Sequence, residues 1–172
     1  LDAVTKSIEN FQMNVGVAKI YELINHISKF RVFDDSDKKT YERIGGHLSL
    51  RELIYEMITI SSNFATNLVI DYIGHEDINK TMRDLGAKDI NVLRGVEDIK
   101  AYNKGLNNTT TALDLLKIYE NLALGRVINT KLSQKMVDIL KDQKYDDIIP
   151  KYLPKEIKIA HKDGWVSGTR HD

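Results

Sequence analysis

Residues 49–74 constrain the fold more than any other stretch. Ser49-Leu50-Arg51-Glu52 has the form of a capping box. In it the serine takes a free backbone N–H and the glutamate reaches back to the serine's own. Leu50, Leu53, Ile54, Met57 and Ile58 follow at helical spacing, which predicts a helix from about 50 to 60. A polar break then interrupts the apolar run. Ser61, Ser62, Asn63 and Asn67 bring two hydroxyls and two carboxamides, flanked by Ile60 and Phe64. A second helix is predicted over Ala65 to Ile73, buried on several sides because Leu68-Val69-Ile70 leaves little polar face, and Gly74 ends it. Polar side chains between buried helices are costly unless hydrogen-bonded or used. Ser61 and Asn63 are therefore expected to line a pocket.

The rest of the chain supplies further helices around this pair. Val17, Ile20, Leu23, Ile24 and Ile27 predict a helix over Val15 to Lys29, and the polar run from Arg31 to Gly46 predicts a loop. Asp77 to Leu85 reads as a short helix stopped by Gly86, and Lys88 to Leu93 as a brief extended piece. Residues 94–109 have no clear period, and a loop of that length in a compact domain is usually functional. Thr111 and Asp114 cap a helix carrying Leu115, Leu116, Tyr119 and Leu122, and Thr130 to Lys141 is another. Tyr41, Tyr55, Tyr72 and Tyr119 are placed at the edge of the core. Glu156 to His161 alternates polar and apolar residues, the pattern of a strand with one buried face. That strand has no partner long enough to pair with it, so the chain looks cut.

Composition narrows the function classes. At 172 residues, 42% hydrophobic and 29% charged, the chain fits one soluble globular domain, 1–172. Twenty-five basic residues balance twenty-five acidic ones, which favours neither nucleic acid nor an anionic membrane as a partner. No apolar run approaches the roughly 18 residues of a membrane span. Without cysteine there is neither a disulfide framework nor thiolate chemistry. His161 and His171 with Asp172 lack zinc-type spacing and are read as structural; no metal or other cofactor is implied.

Three features invite chemistry: Ser61-Ser62-Asn63, the loop Arg94-Gly95-Val96-Glu97-Asp98 closed by Asn107 to Thr111, and Lys162-Asp163-Gly164. Taken singly they read as an N-cap, a loop pinned by an Arg94–carboxylate pair, and a solvated lysine. Taken in order, Ser-x-Asn between helices, a glycine-bearing loop with an acid, then Lys-x-Gly on a strand resembles the penicillin-recognising serine hydrolases. This is the superfamily of class A β-lactamases and penicillin-binding proteins, and the resemblance covers roughly residues 48 to 172. It implies an α+β fold, mostly α as given: the helical domain of the β-lactamase/transpeptidase-like fold with a remnant of its antiparallel sheet. It also implies that Ser61 passes a proton to the leaving nitrogen, that Asn63 holds the substrate's amide side chain, and that Lys162 attracts its carboxylate and tunes Ser61. Gly164 would let the strand approach the substrate. The loop acid that activates the deacylating water would be Glu97 or Asp98. Arg94 would anchor the loop, with Asn108 where many relatives have an aspartate. Asp163 replaces the usual threonine or serine, and a carboxylate there would repel an anionic substrate.

The front of the chain departs from the pattern. The family's nucleophile is the serine of Ser-x-x-Lys; setting Met13 to Val17 against the helix that carries it puts Phe11 and Asn14 at those two positions. Sliding the match gives Ser7-x-x-Asn10 or Ala3-x-x-Lys6, and the literal Ser36 to Lys39 lies in a charged loop too close to Ser61. An unactivated serine is a poor nucleophile near neutral pH. Two readings follow. One is a serine hydrolase acting on an amide, ester or β-lactam through an acyl-enzyme, impaired in this chain. The other is a non-catalytic fragment or relative that keeps the scaffold for binding or assembly. Exposed helix faces and an unpaired strand would drive self-association. The resemblance implies an extracytoplasmic or secreted setting, although Leu1 opens the chain without a signal-peptide pattern.

Overall fold

The computed structural model describes residues 37–166 and 169–172. The helix predicted over Val15 to Lys29 lies outside the described residues, as do Ala3, Lys6, Ser7, Asn10, Phe11, Asn14 and Ser36. The described helices are α1 (Lys38–Tyr41), α2 (Leu50–Thr59), α3 (Asn63–Ile73), α4 (His75–Asp84), α5 (Ile99–Asn103), α6 (Ala112–Ala123) and α7 (Thr130–Leu140). A 3-10 turn, Pro150–Tyr152, precedes two short strands, β1 (Gly164–Val166) and β2 (Thr169–His171).

The capping box forms as read: Glu52 N–H donates to Ser49 Oγ at 3.2 Å, and Ser49 N–H donates to Glu52 Oε2 at 2.8 Å. α2 packs on α3 and on α7, α3 on α4 and α1, and α6 on α7. The core sits under α3, where Ala65, Val69 and Ile70 are buried, and extends to Ala87, Val127 and Leu140. Burying a side chain such as Val69 or Ile70 contributes about 1.5–3 kcal/mol. α3 is less enclosed than expected, because Tyr72 and Ile73 at its end turn outward. Tyr72, 75% exposed, is surface rather than core edge.

The end of α2 is held from a distance. Gln143 Nε2 donates to the Ile58 carbonyl (2.8 Å), Lys144 N–H to Thr59 (3.0 Å) and the Tyr145 hydroxyl to Ile60 (3.3 Å). These are carbonyls that a helix end leaves without an intrahelical partner. Satisfied this way, α2 needs no glycine cap, and the next residue is free to turn.

Three local expectations change. The run Arg31 to Gly46 contains α1 in its described part, and the 94–109 loop contains α5, capped by Asp98 Oδ1 accepting from Ala101 N–H at 2.9 Å. Glu156 to His161 is not a strand, and Ile157 N–H instead closes a turn on the Pro154 carbonyl. Alternation alone cannot hold a strand; its backbone groups need a neighbouring ladder. Strand structure begins only at Gly164, and it is paired: Gly164 faces His171, Trp165 faces Arg170 and Val166 faces Thr169, antiparallel.

Candidate functional site

The break between α2 and α3 places Ser61 with φ 55, in the left-handed region that few non-glycine residues occupy. This turn aims its hydroxyl at the stretch before β1. Lys162 Nζ donates to Ser61 Oγ, to the Asp163 carbonyl (2.5 Å) and to Asp163 Oδ1 (3.2 Å). Ser61 Oγ in turn donates to Asp163 Oδ1 at 3.3 Å. Asp163 is buried and Lys162 half-buried. Lys162 has its own supports. His161 Nδ1 bonds Asp172 Oδ1, and Asp172 Oδ2 accepts from Ile149 N–H at 2.9 Å. Tyr119 lies alongside; burial and the Asp172 carboxylate push its phenol up, while a backbone hydrogen bond at Lys162 pulls it down. A Cβ built on Gly164 meets no heavy atom within 4 Å, so that edge of the cluster is open.

The second side comes from the 94–98 loop. Asn63 Nδ2 donates to Glu97 Oε1 at 3.1 Å. Glu97 also has positive φ, at 63. Of the two candidate acids, Glu97 meets Asn63 and Asp98 caps α5. Asn108 holds the loop base: its Oδ1 accepts from Leu93 N–H (2.8 Å) and Arg94 N–H (3.1 Å), and its Nδ2 donates to the Arg94 carbonyl (3.0 Å). Arg94 turns back on its own loop, with Nη1 donating to Gly95 O at 3.0 Å and the guanidinium 5.4 Å from the Tyr102 ring centroid. Its Nε is buried without a hydrogen-bond partner among the described residues. With a carboxamide rather than a carboxylate at 108, anchoring runs through the loop's backbone.

A model of the β-lactamase enzyme family matches residues 25–172. The chain belongs to the β-lactamase enzyme family. It is 25% identical over 128 residues to β-lactamase BRO-1 of Moraxella catarrhalis, covering 72% of this chain and 40% of that protein. A β-lactamase from Sphaerobacter thermophilus superposes with a TM-score of 0.62 at 31% identity, covering 70% of this chain and 46% of that one. The structure of PBP-A gives a TM-score of 0.60 at 28% identity, covering 68% and 43%. The chain thus spans less than half the length of these relatives.

Within this family member, Ser61, Asn63, Glu97, Lys162 and Asp163 come together across the fold, while Arg94 and Asn108 stay in the loop base. Asn67 and Asp37 support the cluster without touching Lys162. Asn67 Oδ1 accepts from Val96 N–H at 2.6 Å and its Nδ2 donates to the Val96 carbonyl at 3.1 Å. Its spacing of four from Asn63 puts both carboxamides on one helix face, a signal that was available. Asp37 Oδ1 accepts from Ser62 Oγ (2.7 Å) and Phe64 N–H (3.1 Å), closing the start of α3. No local pattern links residues 25 positions apart. Tyr41 stacks on Phe64 at 4.7 Å, and burial, then the Asp37 and Glu97 carboxylates, push its phenol up. Two surface hollows run along α2, one beside Tyr55 and Glu56 and one beside Leu53 and Leu68, away from Ser61. Neither hollow is lined by Ser61 or Asn63.

Proposed function

We propose that this cluster is the substrate-holding and proton-transfer side of a β-lactamase-type acyl-transfer site, acting on an amide or ester such as a β-lactam. Ser61 relays the proton to the leaving nitrogen, and the Lys162 ammonium polarises its hydroxyl. Asn63 presents a carboxamide to the substrate, and Glu97, hydrogen-bonded to it, is the loop acid. Gly164 leaves the strand edge open to the substrate backbone. Arg94 and Asn108 hold the loop that carries Glu97.

The observation that carries this reading is the Lys162–Ser61 contact, made across 101 residues of sequence. A solvated strand-end lysine has no reason to seek a half-buried serine in a left-handed turn. A hydrogen-bonded serine and ammonium can move a proton once a nucleophile has attacked. A point mutant of PBP-A, a similar protein, is known as an acyl-enzyme complex with penicillin-G. In this reading acylation is impaired because the sequence shows no Ser-x-x-Lys pair apart from Ser36 to Lys39, with Phe11 and Asn14 at the two positions when Met13 to Val17 is set against the nucleophile helix. That same departure favours a second reading, a non-catalytic relative that binds through the retained scaffold.

Intact-protein mass spectrometry after exposure to a fluorescent penicillin and a neutral activated ester separates the two. The chain itself should acquire little or no adduct. The Phe11→Ser/Asn14→Lys double variant should acquire one at position 11, and Lys162→Ala added to it should slow that adduct by about 100-fold, the scale of one acid–base group. A double variant that stays unmodified by both reagents refutes the hydrolase reading.

A further inference from the structure

Asp163 is the residue of this cluster that no acyl-transfer step uses. Its side chain is 6% exposed and lies between the hydroxyl of Ser61 and the ammonium of Lys162. An ammonium has three hydrogens to donate. Those of Lys162 have three acceptors in place: Ser61 Oγ, the Asp163 carbonyl and Asp163 Oδ1. Two of these belong to the next residue in the chain, so they are covalently held at the lysine.

We infer that Asp163 is a specificity-determining residue: its carboxylate neutralises Lys162 from within, so the site takes acyl compounds uncharged at the Lys162 end and discriminates against those carrying a carboxylate there. This rests on the acyl-transfer reading above and narrows its substrate class. A ligand carboxylate would have to displace a tethered one and would then lie beside it, with Glu97 as a second carboxylate across Asn63. A neutral ester or amide oxygen meets no such repulsion. Building an unfavourable charge against one ligand is a standard source of selectivity. Two like charges roughly 6 Å apart at an effective dielectric near 40 discriminate by about tenfold.

Benzylpenicillin and its methyl ester are a matched pair for the test. Binding of each is followed by fluorescence of Trp165, the chain's single tryptophan, in the native chain, Asp163→Asn and Asp163→Thr. The native chain should prefer the ester by about tenfold or more, and both variants should lose that preference or reverse it, chiefly by tighter binding of the acid. Asp163→Asn keeps the side-chain shape if the threonine variant fails to fold, as judged by circular dichroism. A native chain that binds the acid more tightly, or an acid-to-ester ratio unchanged in the folded variants, overturns the inference alone. If neither compound saturates any folded protein, the acyl-transfer reading fails and this inference goes with it.

Discussion

Gly95→Ala should damage the loop through one contact that can be isolated. A Cβ at 95 would sit 2.7 Å from Asn67 Oδ1 and 3.3 Å from its Cγ, too close for either to stay. The backbone of Gly95 is not in the left-handed region, so conformational strain is not the cause. The atom displaced is the one that accepts from Val96 N–H at 2.6 Å, and the same carboxamide donates to the Val96 carbonyl at 3.1 Å. Losing both hydrogen bonds costs about 1–3 kcal/mol, and forcing in the extra carbon costs roughly 1–3 kcal/mol more. A total of about 2–6 kcal/mol corresponds to a melting temperature roughly 4–24 °C lower in a chain of this size. Hydrogen exchange at the Val96 amide should accelerate with it. The cycle with Asn67→Ala isolates the contact. With the carboxamide gone, Gly95→Ala should add less than about 0.5 kcal/mol, a coupling of at least about 1 kcal/mol. Additive costs would show that the alanine acts elsewhere, and the account of the loop would be wrong.

Two further outcomes concern the caps. Ser62→Ala removes the hydroxyl that accepts from Ala65 N–H, donates to Asp37 and faces Thr40 Oγ1 at 3.2 Å, all within a fully buried residue. Urea denaturation should show a loss of about 2–4 kcal/mol, against about 0.5–2 kcal/mol for the exposed cap variant Ser49→Ala; equal losses would refute the weight given to the buried network. The Glu52 carboxyl is held at about 2, down from 4.5, first by the Ser49 backbone N–H, then by Arg43 and the Ser49 hydroxyl. Its folded value lies below the unfolded one, so its contribution to stability is full above pH 4.5 and is lost as pH falls towards 2. An NMR titration should place the midpoint near 2 and find it higher in Ser49→Ala; an ordinary midpoint in the native chain would contradict the capping-box geometry.

What the sequence made legible was local. The Ser49 box and the Thr111–Asp114 cap follow from residues three apart, and both formed, with Asp114 N–H donating to Thr111 Oγ1 at 3.1 Å. The hairpin partner of β1 was missed because period-2 alternation over 156–161 drew the strand too early. Pairing depends on a neighbour, and the neighbour of Gly164 to Val166 is Thr169 to His171. At the site, the order Ser-x-Asn, acidic loop, Lys-x-Gly names residues that touch in the fold, Ser61 with Lys162 and Asp163, and Asn63 with Glu97. It could not show that Asp163 takes up the lysine or that Asp98 is committed to a cap. Those depend on backbone angles at Ser61 and Glu97 that no residue type there announces.

Those two angles explain how the cluster is held. Ser61 and Glu97, with φ of 55 and 63, are the two left-handed non-glycine residues beside Asn63. Each costs of order 1–3 kcal/mol and persists only where its surroundings over-determine it. At Ser61 the surroundings are the three donors from residues 143–145 on one side and Ser62 with Asp37 on the other. At Glu97 they are Asn67 on Val96 and Asp98 on α5. None of these supports is apolar, although the helices themselves pack through Ala65, Val69 and Ile70. Truncating a core side chain such as Val69 should therefore lower the stability of the whole unit while the folded fraction keeps its site. Truncating Asn67 or Gln143 should loosen the site by more than its effect on stability suggests. The two kinds of variant separate when ligand binding is plotted against unfolding free energy.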